Sequence, residues 1–297
     1  MVGYELRGGE YVENTFTIIS NDHIKGDNQL KSDKLFLLVL LLQNKTSKDT
    51  CMFNIRYLCD RLDTTTRNTN RTKYIIDTLK YFQEQQILFF SNKYNCIDEI
   101  YSIEEFAKSN KMDIIFAELF DKIDMNFTTI DDKEIDFILE YSKENNIDKY
   151  LIIHLYLYIL SWINNNKQDE DYKLSYPSIE KIANELDISE TTVLKYIDIL
   201  KDNKLLHYNN VGYKIVQGKY KMTNTYYCRY EDREILENRL NSIKKNKDIK
   251  ILDSNDKIKT NNKRSLKQKI NKLNNKIDKT EEDEHLLLEL KNKYEKI

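Results

Sequence analysis

Apolar residues recur at helical spacing through the segment Ser178 to Gly212. Ile179, Ile182, Ala183 and Leu186 fall at i, i+3, i+4 and i+7, one face of a helix. Asp187-Ile188-Ser189 interrupts that stripe. Ser189 then stands where an N-cap opens a second helix, whose stripe is Val193, Ile197 and Leu200. Two short stripes, a three-residue turn and the small Ala183 at the expected crossing predict a helix-turn-helix. Leu205 to Tyr208 and Tyr213 to Val216 follow as strand-like runs around Asn209-Asn210, with Gly212 beside that turn. The pattern predicts that these two runs pair as a ribbon. Helix-turn-helix plus ribbon is a winged helix, a shape that presents a helix end to the DNA major groove.

The N-terminal part repeats this order. Phe16 to Ile19 reads as a strand. Ser32 or Asp33 can cap a helix from Lys34 to about Gln43 that is apolar nearly all round and belongs deep in a core. Phe53, Ile55, Leu58 and Leu62 suggest a second helix, and Ile75, Leu79 and Phe82 a third after the turn at Asp63 to Thr66. Ile87 to Phe90, Ser91-Asn92 and Tyr94 onward predict a ribbon. In the later block, Lys149 to Ile163 is the matching buried first helix, and Pro177-Ser178 opens the second. The duplication is one of arrangement, not of identical residues.

Ile100 to Tyr141 reads as an acidic helical connector, too apolar for a loose linker. Arg233 to Ile243 extends as a helix, and Lys244 to Asn262 is polar and lysine-rich. Leu266, Ile270, Leu273 and Ile277 step by 4, 3 and 4, a coiled-coil-like seam, and Leu287, Leu290, Tyr294 and Ile297 form another stripe. The fold class expected is mainly α with small β-ribbons (α+β). The expected divisions are an N-terminal winged helix (1–97), an acidic helical connector (98–147), a second winged helix (148–231) and a lysine-rich linker with a helical, coiled-coil-like tail (232–297).

Charge sharpens this division. The formal net charge of −2 over 297 residues hides a split. Asp98 to Asp148 holds fifteen carboxylates against five lysines, whereas Asn241 to Lys279 holds thirteen basic residues against four aspartates. One proline and six glycines favour a helix-dominated chain. The four cysteines form no CxxC pair and the four histidines are scattered, so no zinc site, other metal or disulfide framework is expected. The polar start carries no secretory signal, and the longest apolar run, Leu35 to Leu42, is too short to span a bilayer. A cytoplasmic protein with no membrane partner is expected.

The chemistry lies at the starts of the third helices. Thr64 to Lys73 reads TTTRNTNRTK. With Ile75 and Leu79 facing inward, Thr65, Thr66, Arg67, Asn70, Arg71 and Lys73 are candidates for DNA contact. Arg pairs bidentately with guanine and Asn with adenine. Their bland alternative is a solvated basic helix start. In the later block Glu190, Thr191, Thr192 and Lys195 occupy the corresponding positions. Glu190 argues mildly against DNA there, since a carboxylate near phosphates is unfavourable unless it meets a cytosine amine. Lys214, Lys219 and Lys221 on the ribbon suit phosphate contacts. No glycine-rich phosphate loop, nucleophile elbow or metal-spaced histidine pair appears, so neither an enzyme nor a cofactor is expected.

The stretch YPSIEKIANELDISETTVLKYIDILKDNKLL, residues 176–206, resembles winged helices of bacterial regulators and of replication proteins from plasmids and phages of low-GC Gram-positive bacteria. GKYKMTNTYYCRY, residues 218–230, is similar to the wing and return strand of those replication proteins. FTIISNDHIKGDNQLKSDKLFLLVLLL, residues 16–42, more loosely resembles the entry strand and first helix of plasmid replication initiators. The resemblance implies a tandem winged-helix initiator that binds double-stranded DNA at repeated origin sites. The C-terminal helices would serve self-association or contact a replication or partition protein. A transcriptional regulator would use the same two heads. An adaptor, with winged helices as protein docks, is the alternative of another class.

Overall fold

Two helices that are apolar nearly all round organise the chain. The computed structural model describes residues 2–7, 10–45, 50–67, 69–92, 103, 112–119, 126–216, 219–222, 224–245, 251–252, 265–274 and 281–295. Of these, 2–15, 213–216, 219–222, 251–252, 281–283 and 295 are described by backbone alone. The first part runs β1 (Val2–Arg7), β2 (Glu10–Ser20), α1 (Asn21–Ile24), α2 (Ser32–Gln43), β3 (Cys51–Phe53), α3 (Ile55–Arg61), α4 (Thr69–Glu84), β4 (Leu88–Ser91) and β5 (Ile115–Leu119). The second runs β6 (Phe127–Asp131), α5 (Asp132–Glu144), α6 (Lys149–Leu160), α7 (Ile179–Leu186), α8 (Glu190–Asp202), β7 (Leu206–Asn209), β8 (Tyr213–Val216), β9 (Lys219–Met222) and β10 (Tyr226–Arg229). The chain ends with α9 (Arg233–Lys245), β11 (Ile251–Leu252), a helical segment at 265–274 and, after it, Glu281–Glu295. The described residues thus form a mixed α+β molecule with small antiparallel sheets.

Residues 35–42 of α2 and 152–160 of α6 are buried along their whole length. Such helices are stable only inside a core, and here they pack against each other. A single apolar cluster therefore runs from Ile19 to Tyr227 through both parts of the chain. A smaller one, with Leu174, Val211, Cys228, Leu236 and Leu240, lies under α9.

Around α2 and α6 the two parts repeat one plan. In the first, β3 pairs with β5 and β5 with β4, so the order is β3-β5-β4. In the second, Ser175 bridges Tyr227 of β10, and β10 pairs with β7. The plan is the same: a first helix, a short strand, two helices, then two antiparallel strands of which the last is central.

The repeat extends to the turns. Leu62-Asp63 and Leu186-Asp187 end the second helices identically, with Asp63 and Asp187 left-handed at φ 53°. Thr64 N–H donates to the Cys59 carbonyl at 2.9 Å, and Ile188 N–H to that of Ala183 at 3.0 Å. Both are Schellman caps with aspartate in the position glycine usually takes. Gln86 and Lys204, also left-handed, end α4 and α8 the same way, with Ile87 N–H bonded to the Phe82 carbonyl and Leu205 N–H to that of Leu200.

Several expectations change. Of residues 100–141, the described part is mostly not a helical connector: 115–119 and 127–131 are strands, and helix is found at Ile103 and from Asp132 to Glu144. Burial alternates there, with Ile115 and Ala117 inside one strand and Thr128 and Ile130 inside the other. Pairing to β3, β4 and β2 overrides the apparent helical spacing. The ribbon partner of β4 is accordingly 115–119; Tyr94 and its neighbours lie outside the described residues. Tyr213–Val216 does not pair with β7. It forms a hairpin with Lys219–Met222, while β7 takes Tyr226–Arg229, which brings Tyr227 and Cys228 into the interior. Phe53 belongs to a strand, and Asn54 caps α3 through Tyr57 N–H. Neither Ser32 nor Asp33 caps α2: its cap, Lys31, makes no side-chain bond. The Ser32 hydroxyl instead lies 2.8 Å from His154 Nδ1.

Candidate nucleic-acid interface

The starts of α4 and α8 pack on their own second helices, and the turn before α4 is also held by the opposite part of the chain. α4 buries Thr72, Ile75, Thr78, Leu79 and Phe82. Thr65, Arg67, Asn70, Arg71 and Lys73 are exposed at its start, and Thr66 is half-buried with its carbonyl accepting from Thr72 Oγ1. Five of the six candidates of this block thus share an exposed region, rich in groups that donate paired hydrogen bonds. Arg71 also lies near Tyr150, where its positive charge eases ionisation of a phenol that burial raises.

Asp63 fixes the turn that leads into this region. Its carboxylate accepts from Lys149 Nζ at 2.8 Å and lies 3.2 Å from Lys143 Nζ. The hydrogen bond from Lys149, chiefly, holds the Asp63 carboxyl below its usual range. Arg61, one turn earlier, donates to Asp136 at 2.6 Å and to Gln43 at 2.9 Å. The turn before α4 is therefore anchored by α5 and α6, elements of the other part.

At the start of α8, Ser189 Oγ accepts from Thr192 N–H at 3.1 Å and lies 2.8 Å from Thr192 Oγ1. The half-buried Thr192 hydroxyl is engaged in the cap. Glu190, Thr191 and Lys195 are exposed, and Val193, Tyr196, Ile197 and Leu200 are buried. Leu194, not singled out in the sequence, is 49% exposed beside Lys195. Asp198 and Asp202 add carboxylates to the exposed side, and Asp198 accepts from the Tyr208 hydroxyl at 2.6 Å. This surface is mixed in charge, unlike the start of α4.

The strand lysines sit on a hairpin apart from β7 and β10. Lys214 is the register partner of Lys221, and Lys219 of Val216; Ile251 of β11 pairs with Lys214 on the other edge. Lys214 and Lys221 share one face, since directly opposed residues do.

Two clusters are absent from the sequence reading: the first ties the second part together, and the second, around His154, joins the parts. Arg229 of β10 bonds Glu134 of α5 at 3.0 and 3.2 Å, and its other nitrogen donates to the Thr129 carbonyl. Tyr156 donates to Glu134 at 2.8 Å; burial first, and Glu134 second, hold that phenol well above its ordinary range. His154 is buried between Ser32, Gln29 and the Ile24 carbonyl, and burial lowers it to about 4.

Among the described residues no group of three or more His, Cys, Asp or Glu is placed to hold a metal ion. No described helix is long and apolar enough to cross a membrane. Neither the protein-family models nor the curated proteins include a match to this chain.

Proposed function

We propose that the chain is a sequence-specific double-stranded DNA-binding protein with two winged-helix heads, serving replication initiation or origin binding for a plasmid or other mobile element. The observation that carries the reading is the joint exposure of Thr65, Arg67, Asn70, Arg71 and Lys73 at the start of a third helix whose other face is buried. Such a helix end can enter a major groove, with Arg67 and Arg71 reading guanine, Asn70 reading adenine and Lys73 on phosphate. The repeated plan supplies a second head, whose Thr191 and Lys195 contribute less readout. The hairpin lysines Lys214, Lys219 and Lys221 add salt-dependent backbone contacts. The replication role rests on the pairing of two heads in one chain, which suits repeated sites; the same heads would serve a regulator of transcription.

Selection of bound duplexes from a random pool tests the reading. An enriched motif with two parts is expected, and direct repeats of it beside the gene favour initiation over regulation. A pool that yields no motif sinks it.

One observation favours protein docking by the second head. Glu190, Asp198 and Asp202 with the exposed Leu194 make a surface better suited to a basic and apolar partner than to phosphates. On that adaptor reading, Arg67→Ala and Arg71→Ala leave a weak DNA affinity weak.

A further inference from the structure

Three residues distant in sequence meet where the two parts join. Lys25 follows α1, Trp162 follows α6, and Lys181 lies in the first turn of α7. The ammonium nitrogens of Lys25 and Lys181 each sit 3.8 Å from the centroid of the Trp162 ring. Lys25 also donates to the Ser161 carbonyl at 2.7 Å. Trp162 is 37% exposed and Lys181 is exposed, so the group opens to solvent.

A cation on an indole face is favourable, but two cations on one indole repel each other. Burial and the charge of Lys181 together lower Lys25 to about 8, and Glu185 opposes this only in part. An anion beside the two ammoniums at the open edge of the ring would relieve that repulsion, and a phosphate's oxygens accept from ammonium groups. The location agrees. In a helix-turn-helix, the helix before the reading helix crosses the DNA backbone, and Lys181 stands at the start of that helix.

We propose that Lys25, Lys181 and the edge of Trp162 form a phosphate site that grips a backbone phosphate of duplex DNA. This rests on the DNA-binding reading above. Trp162 is the chain's single tryptophan, so its fluorescence reports on this site alone.

The test uses the full chain and the duplex enriched by selection, with binding followed by anisotropy of a labelled duplex over a range of salt. Adding duplex is expected to change Trp162 fluorescence. Lys25→Gln with Lys181→Gln is expected to flatten the slope of log affinity against log salt by about 1, the loss of one phosphate contact, and Lys181→Gln alone by part of that. The single variant matters because Lys25 also ties α1 to the end of α6. An unchanged slope and silent fluorescence, with Arg67→Ala still weakening binding, overturns this site and leaves the DNA reading standing. A wild-type chain that binds no duplex overturns both. Inorganic phosphate that saturates the fluorescence change while duplex leaves it unmoved overturns the backbone as the source of the phosphate.

Discussion

Arg67 and Arg71 are the residues on which base reading would depend most. Changing either to Ala is expected to weaken binding to the selected duplex by about 1–3 kcal/mol and to relax preference at one base position. Competition titrations against single-base variants of the site check this. A uniform loss across all variants would assign the arginine to phosphate instead. His154 gives a second residue-scale outcome. Its folded value of about 4 lies below the ordinary 6.5, so the unfolded chain binds more protons between those limits. The contribution of His154 to stability is complete above pH 6.5, falls as pH drops to about 4 and is level below. The loss is about 3 kcal/mol. Urea unfolding of wild type and His154→Gln across this window should show the difference in stability shrinking by that amount. The exposure of Thr65, Arg67, Asn70, Arg71 and Lys73 was legible from residue type and helix phase, because helix starts expose their first turns, whereas Thr66 and Thr192 are half-buried in the structure. The His154 cluster was not legible: its partners Gln29 and Ser32 lie 125 and 122 residues earlier in the chain.

The clearest correspondence between elements lies in the left-handed caps that end the helices. Lys204 is exposed, and its conformation at φ 58° disfavours any residue with a Cβ. Lys204→Gly should therefore stabilise the protein by up to about 1 kcal/mol, seen as a higher midpoint in chemical unfolding. Asp63→Gly should not match it, since it also removes the bonds to Lys149 and Lys143. The helices were legible in their apolar stripes, and Ser178 and Ser189 mark two starts correctly, each accepting from a backbone N–H three residues on. Strands were harder. A short run such as Ile115 to Leu119 matches helical and extended spacing about equally, and its partners decide between them. Tyr213–Val216 was recognised as a strand but assigned the wrong neighbour, because a nearby turn suggests a hairpin whereas β7 is completed by a strand seventeen residues beyond its end, Tyr226–Arg229.

At the scale of the molecule, the two parts share one interior. β2 pairs with β6, α2 packs on α6, and His154 of α6 meets Gln29, Ser32 and the Ile24 carbonyl; within the second part, Arg229, Glu134 and Tyr156 tie β10 to α5 and α6. Arg229→Met leaves the Glu134 carboxylate without its cation in a largely enclosed place. The expected cost is about 3–5 kcal/mol, with part recovered by adding Glu134→Gln. Unfolding followed by far-UV dichroism should shift as one transition, since the second part, where the contacts are lost, shares one apolar interior with the first. A shift confined to a partial transition would mean that the parts unfold separately. What the sequence determined by itself was local: which segments are helices, which faces of them are apolar, and which polar side chains stand at exposed helix starts. Those features follow from spacing and capping within a few residues. Only the tertiary structure decided the strand partners, the common core of α2 and α6, and the meeting of Lys25 with Lys181 on Trp162. Each of these depends on contacts between residues far apart in the chain, which no local periodicity encodes.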